Sequence, residues 1–282
     1  MNFQNLPRSN KVVKKVFVPK RGAFSFFDYQ QIEPRLFAYY CAKGLGDDEP
    51  ARWFREGRDF YKEIAAQVFQ KPASAIDDAE RQDGKVWFLM SLYSAGPKKI
   101  ALETGMKLSD AKAFYVQFHE GLPQIKALSN PPPQSQGGWR EYEPGLIERV
   151  LQRRKYITTP WGRQLHPEEW GAHKMLNKLI QGSAADLMKL ALVNVYAWQN
   201  DPTRPYQGSI ASRMVLTVHD ELDIDGPEDE LELLHEVIPP LMGSEIIEAV
   251  VPLGVDHEVS VTNMADKVSY DEWKETAWQS AK

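Results

Sequence analysis

The sequence has one cysteine, Cys41, among 282 residues. This excludes an intramolecular disulfide framework and accords with a reducing cytoplasm, the compartment expected for it. It also lacks any run of about eighteen apolar residues, so no transmembrane helix and no membrane partner are expected. The N-terminal stretch MNFQNLPRSNKVVKK has no apolar core, so no secretory leader is expected. Low-complexity sequence is limited to NPPPQSQGG at 130–138, a surface loop by its composition, and no internal repeat is visible.

The residues that are present describe an ordinary globular chain. Hydrophobic residues make up 43% of it and eight are tryptophan, so it can bury a core large enough for one domain or two closely joined ones. Taken as a mean, the net charge of −5 disfavours a nucleic-acid partner. Its distribution is uneven, however. Residues 1–21 carry Arg8, Lys11, Lys14, Lys15, Lys20 and Arg21 and no acid, whereas residues 220–249 carry eleven acids and neither Lys nor Arg. Local sign matters more than net charge to a phosphate backbone. Taken alone, the basic segment reads equally well as a solvated tail, and the acidic one beyond its first two acids reads as a solvated helix face.

Two acidic strand ends carry the chemical signal. Met214, Val215 and Leu216 read as a buried strand running into Val218-His219-Asp220-Glu221-Leu222, with two adjacent carboxylates at the turn. By itself this describes a solvated hairpin as well as a site. A second apolar run, Ala23 to Phe27, broken only by Ser25, leads into Asp28. Two strands far apart in sequence, each delivering a carboxylate that needs a cation or donor, match the way two-metal phosphoryl-transfer sites are assembled.

Between these strands the periodicity is helical. Helices are predicted over Ile32–Lys43, Asp59–Phe69, Arg81–Ser94 with Asp77 and Asp78 as cap, and Ala111–Glu120 with Ser109 and Asp110 as cap. Further helices are predicted over Ile147–Arg154 and Trp170–Gln199, the latter with a break or close packing point at Gly182-Ser183. Tyr156–Leu165 and Met214–Ile224 read as hairpins.

These motifs, in this order, resemble the polymerase domain of family A DNA polymerases, of a phage-like kind, over about residues 2–262. Asp28-Tyr29-x-Gln31-Ile32-Glu33-x-Arg35 resembles motif A and Val218-His219-Asp220-Glu221-Leu222 resembles motif C. Arg81, Lys85, Leu89 and Tyr93, spaced by four, resemble motif B on the O helix of the fingers, about 78–94. Asn2–Pro7, Thr159-x-x-Gly162-Arg163 and Gln181–Asp186 have counterparts too.

The resemblance implies an α+β fold: a right-hand palm with an antiparallel sheet and inserted helical fingers, without thumb or exonuclease domain. Its divisions fall at 1–35 (palm), 36–176 (fingers) and 177–282 (palm). It implies template-directed addition of dNTPs to a primer 3′-hydroxyl with two Mg²⁺ ions, for which Mn²⁺ can substitute. Asp28, Asp220 and the Tyr29 carbonyl would hold the metals, and Glu221 would assist near the primer terminus. Arg81, Lys85, Leu89, Tyr93, Glu33, Gln31 and Tyr61 would contact the nucleotide, with Glu33 filling the space of a ribose 2′-hydroxyl. Gln181, His219, Asn177, Arg35 and Arg163 would contact DNA. Primer-template DNA and dNTPs are the implied partners, with a separate polypeptide supplying the missing thumb or exonuclease.

Several positions depart from the family's pattern. Leu89 stands where Phe or Tyr is usual and Tyr61 where a histidine is usual. Ser94 replaces a glycine and His173 an arginine, and the 130–138 loop is an insertion. Two other readings remain open: a non-catalytic DNA-binding or replisome subunit, and a single-subunit RNA polymerase, against which Glu33 argues.

Overall fold

A computed structural model of the chain describes residues 11–129, 144–167, 174–201 and 210–280. Asn2–Pro7, the 130–138 loop, Trp170 and His173 lie outside them. The strands are β1 (Ala23–Tyr29), β2 (Ile157–Thr158), β3 (Gln164–Leu165), β4 (Arg213–Val218), β5 (Glu221–Gly226), β6 (Val255–Ser260) and β7 (Val268–Ser269). Five of them make an antiparallel sheet in the order β4-β5-β1-β6-β7, and β2 and β3 form a separate hairpin. The chain divides into two compact units. One consists of the residues up to Ile32 with Ala184–Glu248 and Leu253–Lys282, and it contains the sheet; the other is Glu33–Ser183 with Ala249–Pro252 and is mainly helical. An α+β fold with a helical insertion after the first sheet strand is thus what the chain adopts.

In the sheet unit, β1 lies between β5 and β6, which explains its aromatic-rich sequence AFSFFDY. Side chains alternate across a strand. One face therefore presents Ala23, Ser25, Phe27 and Tyr29 together with Leu222, Ile224, His257 and Val259. Ala23 and Val259 pack there against Leu231 and Tyr270. The opposite face presents Phe24, Phe26 and Asp28 beside Glu221, Asp223 and Asp225 of β5 and Asp256 and Glu258 of β6. The reading of Met214–Leu216 as a buried strand needs correction. β4 is an edge strand with one neighbour, its burial alternates, and Val215 is 48% exposed.

In the helical unit, Asp59 caps the Phe60–Phe69 helix by accepting from the Lys62 N–H. Asp77 and Glu80 make a reciprocal capping box at the start of the Asp78–Leu92 helix. Phe37, Phe60 and Phe88, all fully buried, meet edge to face with centroids 5.1 to 6.3 Å apart. Truncating Phe88 to Ala would cost about 3–5 kcal/mol. The two helices approach closely at Gly84, where an added Cβ would lie 2.9 Å from the Tyr61 carbonyl oxygen.

Two local expectations are revised. The helix predicted from Ala111 begins at Leu108, with Lys107 as an uncapped N-cap. Ser109 and Asp110 lie inside its first turn and bond to each other. Gly182-Ser183 does not break the Met175–Asn200 helix. It is a close packing point: a Cβ at Gly182 would meet Arg163 and Leu165, and the Ser183 hydroxyl, fully buried, donates to the Leu179 carbonyl one turn back.

Candidate active site

The acidic end of the sheet is built from two strand termini. Asp28, near the end of β1, is paired in register with Glu221, the first residue of β5. Directly opposed residues on antiparallel strands have Cα atoms about 4.5–5.5 Å apart and point to one face. Asp220 precedes Glu221 in the two-residue turn between β4 and β5. His219 in that turn takes a left-handed conformation (φ +59°), which lets the chain reverse within two residues. The Tyr29 N–H donates to the Asp220 carbonyl at 3.3 Å and so ties the turn to β1. Tyr29 itself is anchored, its hydroxyl donating to the Met242 carbonyl at 2.6 Å. Burial, with the nearby Glu248 charge, pushes the phenol well above the usual tyrosine range.

Asp28, Asp220 and Glu221 line one cavity of about 430 Å³, together with Asp223, Lys14 and Lys267. Hard carboxylate oxygens in excess of ammonium groups suit a divalent cation. Among the described residues no three His, Cys, Asp or Glu side chains form a ready-made cage.

A second set gathers in the helical unit. Arg81 and Lys85, one turn apart, both lie over the Tyr61 ring, at 5.6 and 5.8 Å from its centroid. Arg81 Nε donates to Asp59 Oδ2 at 2.8 Å, so the residue that caps one helix fixes the guanidinium of the next. Tyr61 is buried, and burial followed by the charge of Glu33 raises its phenol. Tyr93 ends the Asp78–Leu92 helix and is 46% exposed. It accepts at its hydroxyl from Gln181 Nε2 at 2.7 Å, and burial and Glu33 raise its pKa against the pull of that bond. Glu33, Tyr61, Arg81, Lys85, Tyr93 and Gln181 thus belong to one electrostatic neighbourhood. Leu89, half-buried, follows Lys85 by one turn.

Comparison with known proteins bears on both sets. A family model described as DNA polymerase family A matches residues 1–265. The chain belongs to DNA polymerase family A. It is 30% identical over 264 residues to the thermostable DNA polymerase I of Thermus aquaticus, covering 92% of this chain and 29% of that protein. To DNA polymerase I of Bacillus caldotenax it is 26% identical over 266 residues, covering 93% and 28%. The chain therefore spans under a third of the length of these relatives. Its fold is similar to that of the POL domain of Pol1 from M. smegmatis, solved in complex with DNA primer-template and dNTP. The TM-score is 0.72 at 22% identity, over 94% of this chain and 44% of that one. In a family A chain the sheet unit is a palm and the helical unit the fingers.

Not every residue expected at the site is available as expected. Arg35 is only 9% exposed; its guanidinium donates to the Pro252 carbonyl and lies 4.7 Å from the Phe54 ring centroid, so it braces the helical unit. The Arg163 guanidinium donates to the Gly182 carbonyl. Gln31 takes a left-handed conformation (φ +50°) with its buried Oε1 unpartnered, and the Asn177 Oδ1 is likewise buried and unpartnered. His219 is exposed.

Sequence reasoning missed Asp223, Asp225 and Lys267. It took the acids after Glu221 for a solvated face, yet Asp223 is 0% and Asp225 4% exposed, because β5 is an inner strand. Asp225 accepts from the Lys20 and Arg21 N–H groups and pairs with the Arg21 guanidinium at 3.1 Å. Part of the basic N-terminal segment is thereby a counter-charge. The signal was available in the period-two alternation of Glu221, Asp223 and Asp225 with Leu222 and Ile224.

Proposed function

We propose that this chain is the catalytic palm and fingers of a template-directed DNA polymerase that adds dNTPs to a primer 3′-hydroxyl in DNA replication or repair. The observation that carries the reading is the pairing of Asp28 with the Asp220-Glu221 turn on adjacent strands of a family A chain. Asp28 and Asp220, with the Tyr29 carbonyl, hold the divalent ions. Two Mg²⁺ ions, replaceable by Mn²⁺, neutralise charge on the attacking and leaving oxygens of the in-line displacement when bound. Glu221 assists from the neighbouring position on β5.

Arg81 and Lys85 take the triphosphate of the incoming nucleotide, a role suited to two cations one helical turn apart whose directions are fixed by Asp59 and Tyr61. Tyr93 offers its exposed ring to the base, Glu33 excludes a 2′-hydroxyl, and Leu89 faces the sugar. Gln31 and Tyr61 support the nucleotide. Gln181, His219 and Asn177 read minor-groove acceptors common to all base pairs, while Arg35 and Arg163 act through the frames they brace. The partners are primer-template DNA and dNTPs.

Primer extension in Mg²⁺ tests the reading, with Asp28→Asn and Asp220→Asn as controls that keep side-chain shape. Extension by the unaltered chain, lost in both variants while DNA binding persists, is the expected result. No extension alone or with an added partner, with DNA binding intact, would favour a non-catalytic subunit.

A further inference from the structure

One ammonium group lies within the acidic face of the sheet, and the roles above leave it unused. Lys267, between β6 and β7, has its Nζ 2.5 Å from Glu221 Oε2 and 3.7 Å from Glu258 Oε2. The same nitrogen stands 3.8 Å from the centroid of the Phe26 ring. Phe26 is paired with Asp223 on one side and Glu258 on the other, so the ammonium is held over the middle of the sheet by groups from three strands. Its side chain is only 16% exposed. Drawing a flexible cation out of water over an aromatic ring costs desolvation and rotamer entropy, which the surrounding carboxylates must offset.

Asp223 is the second observation. It is fully buried, no donor faces either carboxylate oxygen, and it lines the cavity shared by Asp28, Asp220, Glu221 and Lys267. Its carboxyl gives Glu221 no counter-charge, which leaves the Lys267 ammonium to supply it. The other charges facing the cavity are Lys11, Lys14 and Glu258.

We propose that Lys267 is a positioning residue for the catalytic carboxylates: its ammonium fixes Glu221 against β1 and offsets the charge of Glu221 and Glu258. It thereby sets how tightly Asp28 and Asp220 take a divalent cation. The proposal rests on the reading that those two aspartates bind such a cation. It has a distinctive sign. A lysine that merely holds the fold would, when lost, loosen the site and weaken cation binding. A lysine that acts as a built-in counter-charge would, when lost, tighten it.

The test is Mn²⁺ binding to the full chain without DNA or nucleotide, read from the electron paramagnetic resonance of free Mn²⁺. Lys267→Met is expected to bind Mn²⁺ roughly threefold to tenfold more tightly, the size expected when one unit of charge is removed beside a divalent site that water still reaches. Lys267→Arg keeps the charge and should bind as the unaltered chain does. In a Glu221→Gln background the Lys267→Met shift should shrink, because much of it acts through Glu221. Lys267→Gln, which retains a donor to Glu221, gives the same reading should Lys267→Met fail to fold.

Unchanged or weaker Mn²⁺ binding in the folded neutral variants, with normal binding by the unaltered chain, overturns the role of Lys267 alone. No binding by the unaltered chain, or undiminished binding by Asp28→Ala and Asp220→Ala, overturns the metal reading and this inference with it.

Discussion

Replacing Asp223 with asparagine should stabilise the protein, by an amount that grows with pH. Asp223 is 0% exposed with no donor to either oxygen. Burial first, then the charge of Glu221, pushes its carboxyl from 3.8 up to about 8, against the pull of Lys267. Only when protonated can Asp223 bond Glu221, as the donor. In the unfolded chain the same group ionises near 3.8. Between about pH 4 and pH 8 the folded state keeps a proton that the unfolded state has released, so stability falls as pH rises. The contribution is complete below the unfolded value and gone above the folded one. At about 1.4 kcal/mol per pH unit the full loss has an upper bound of about 6 kcal/mol, which relaxation and water entry reduce. Asparagine keeps the shape, carries no charge and can donate to Glu221 at every pH. Urea unfolding in EDTA at pH 5, 6.5 and 8 should show the stability gap between variant and unaltered chain widening by about 2–4 kcal/mol over that range. Parallel pH profiles, or a variant less stable at every pH, would refute the reasoning.

Three other outcomes follow from particular contacts. Gly84→Ala places a Cβ 2.9 Å from the Tyr61 carbonyl oxygen and should cost about 1–3 kcal/mol in urea unfolding despite the better helix propensity of alanine. Leu89 has neither ring nor hydroxyl, so chain termination by dideoxynucleotides should be poor in the unaltered chain and rise in Leu89→Tyr, as scored by ddNTP/dNTP competition; efficient termination without the substitution would contradict this. His257, stacked between Phe27 and the His235–Tyr270 side, is held neutral, its pKa driven down to about 3 by burial and then His235. The stability this contributes is complete above about pH 6.5 and lost as pH falls toward 3, so His257→Gln should flatten the acid limb of the unfolding profile by about 1 kcal/mol per pH unit.

The parts legible in the sequence were those set by local pattern. Ala23–Phe27 showed as an apolar run of strand type, His219–Glu221 as the turn of a hairpin, Asp59–Phe69 as a helix, and Asp77 as the cap of another. What stayed hidden depends on which distant segments meet. Asp223 reads as one more surface acid until β5 is known to lie between two other strands. Lys267 lies 46 residues from Glu221, and no periodicity links them. Arg35 follows a metal-site motif at helical spacing, yet its guanidinium is used by Pro252 and Phe54 of the same unit. Charge placement of this kind is a tertiary property, and a single sequence carries little trace of it.

In the proposed function, Asp28 and Asp220 drive template-directed nucleotide addition. The most direct test is single-turnover incorporation of one dNTP onto a labelled primer-template, with each of the four template bases in turn, by the unaltered chain and by Asp28→Ala and Asp220→Ala. Addition of the complementary dNTP only is expected, at a rate reduced at least about a thousandfold in both variants. Incorporation indifferent to the template base, or surviving loss of either aspartate, would contradict it.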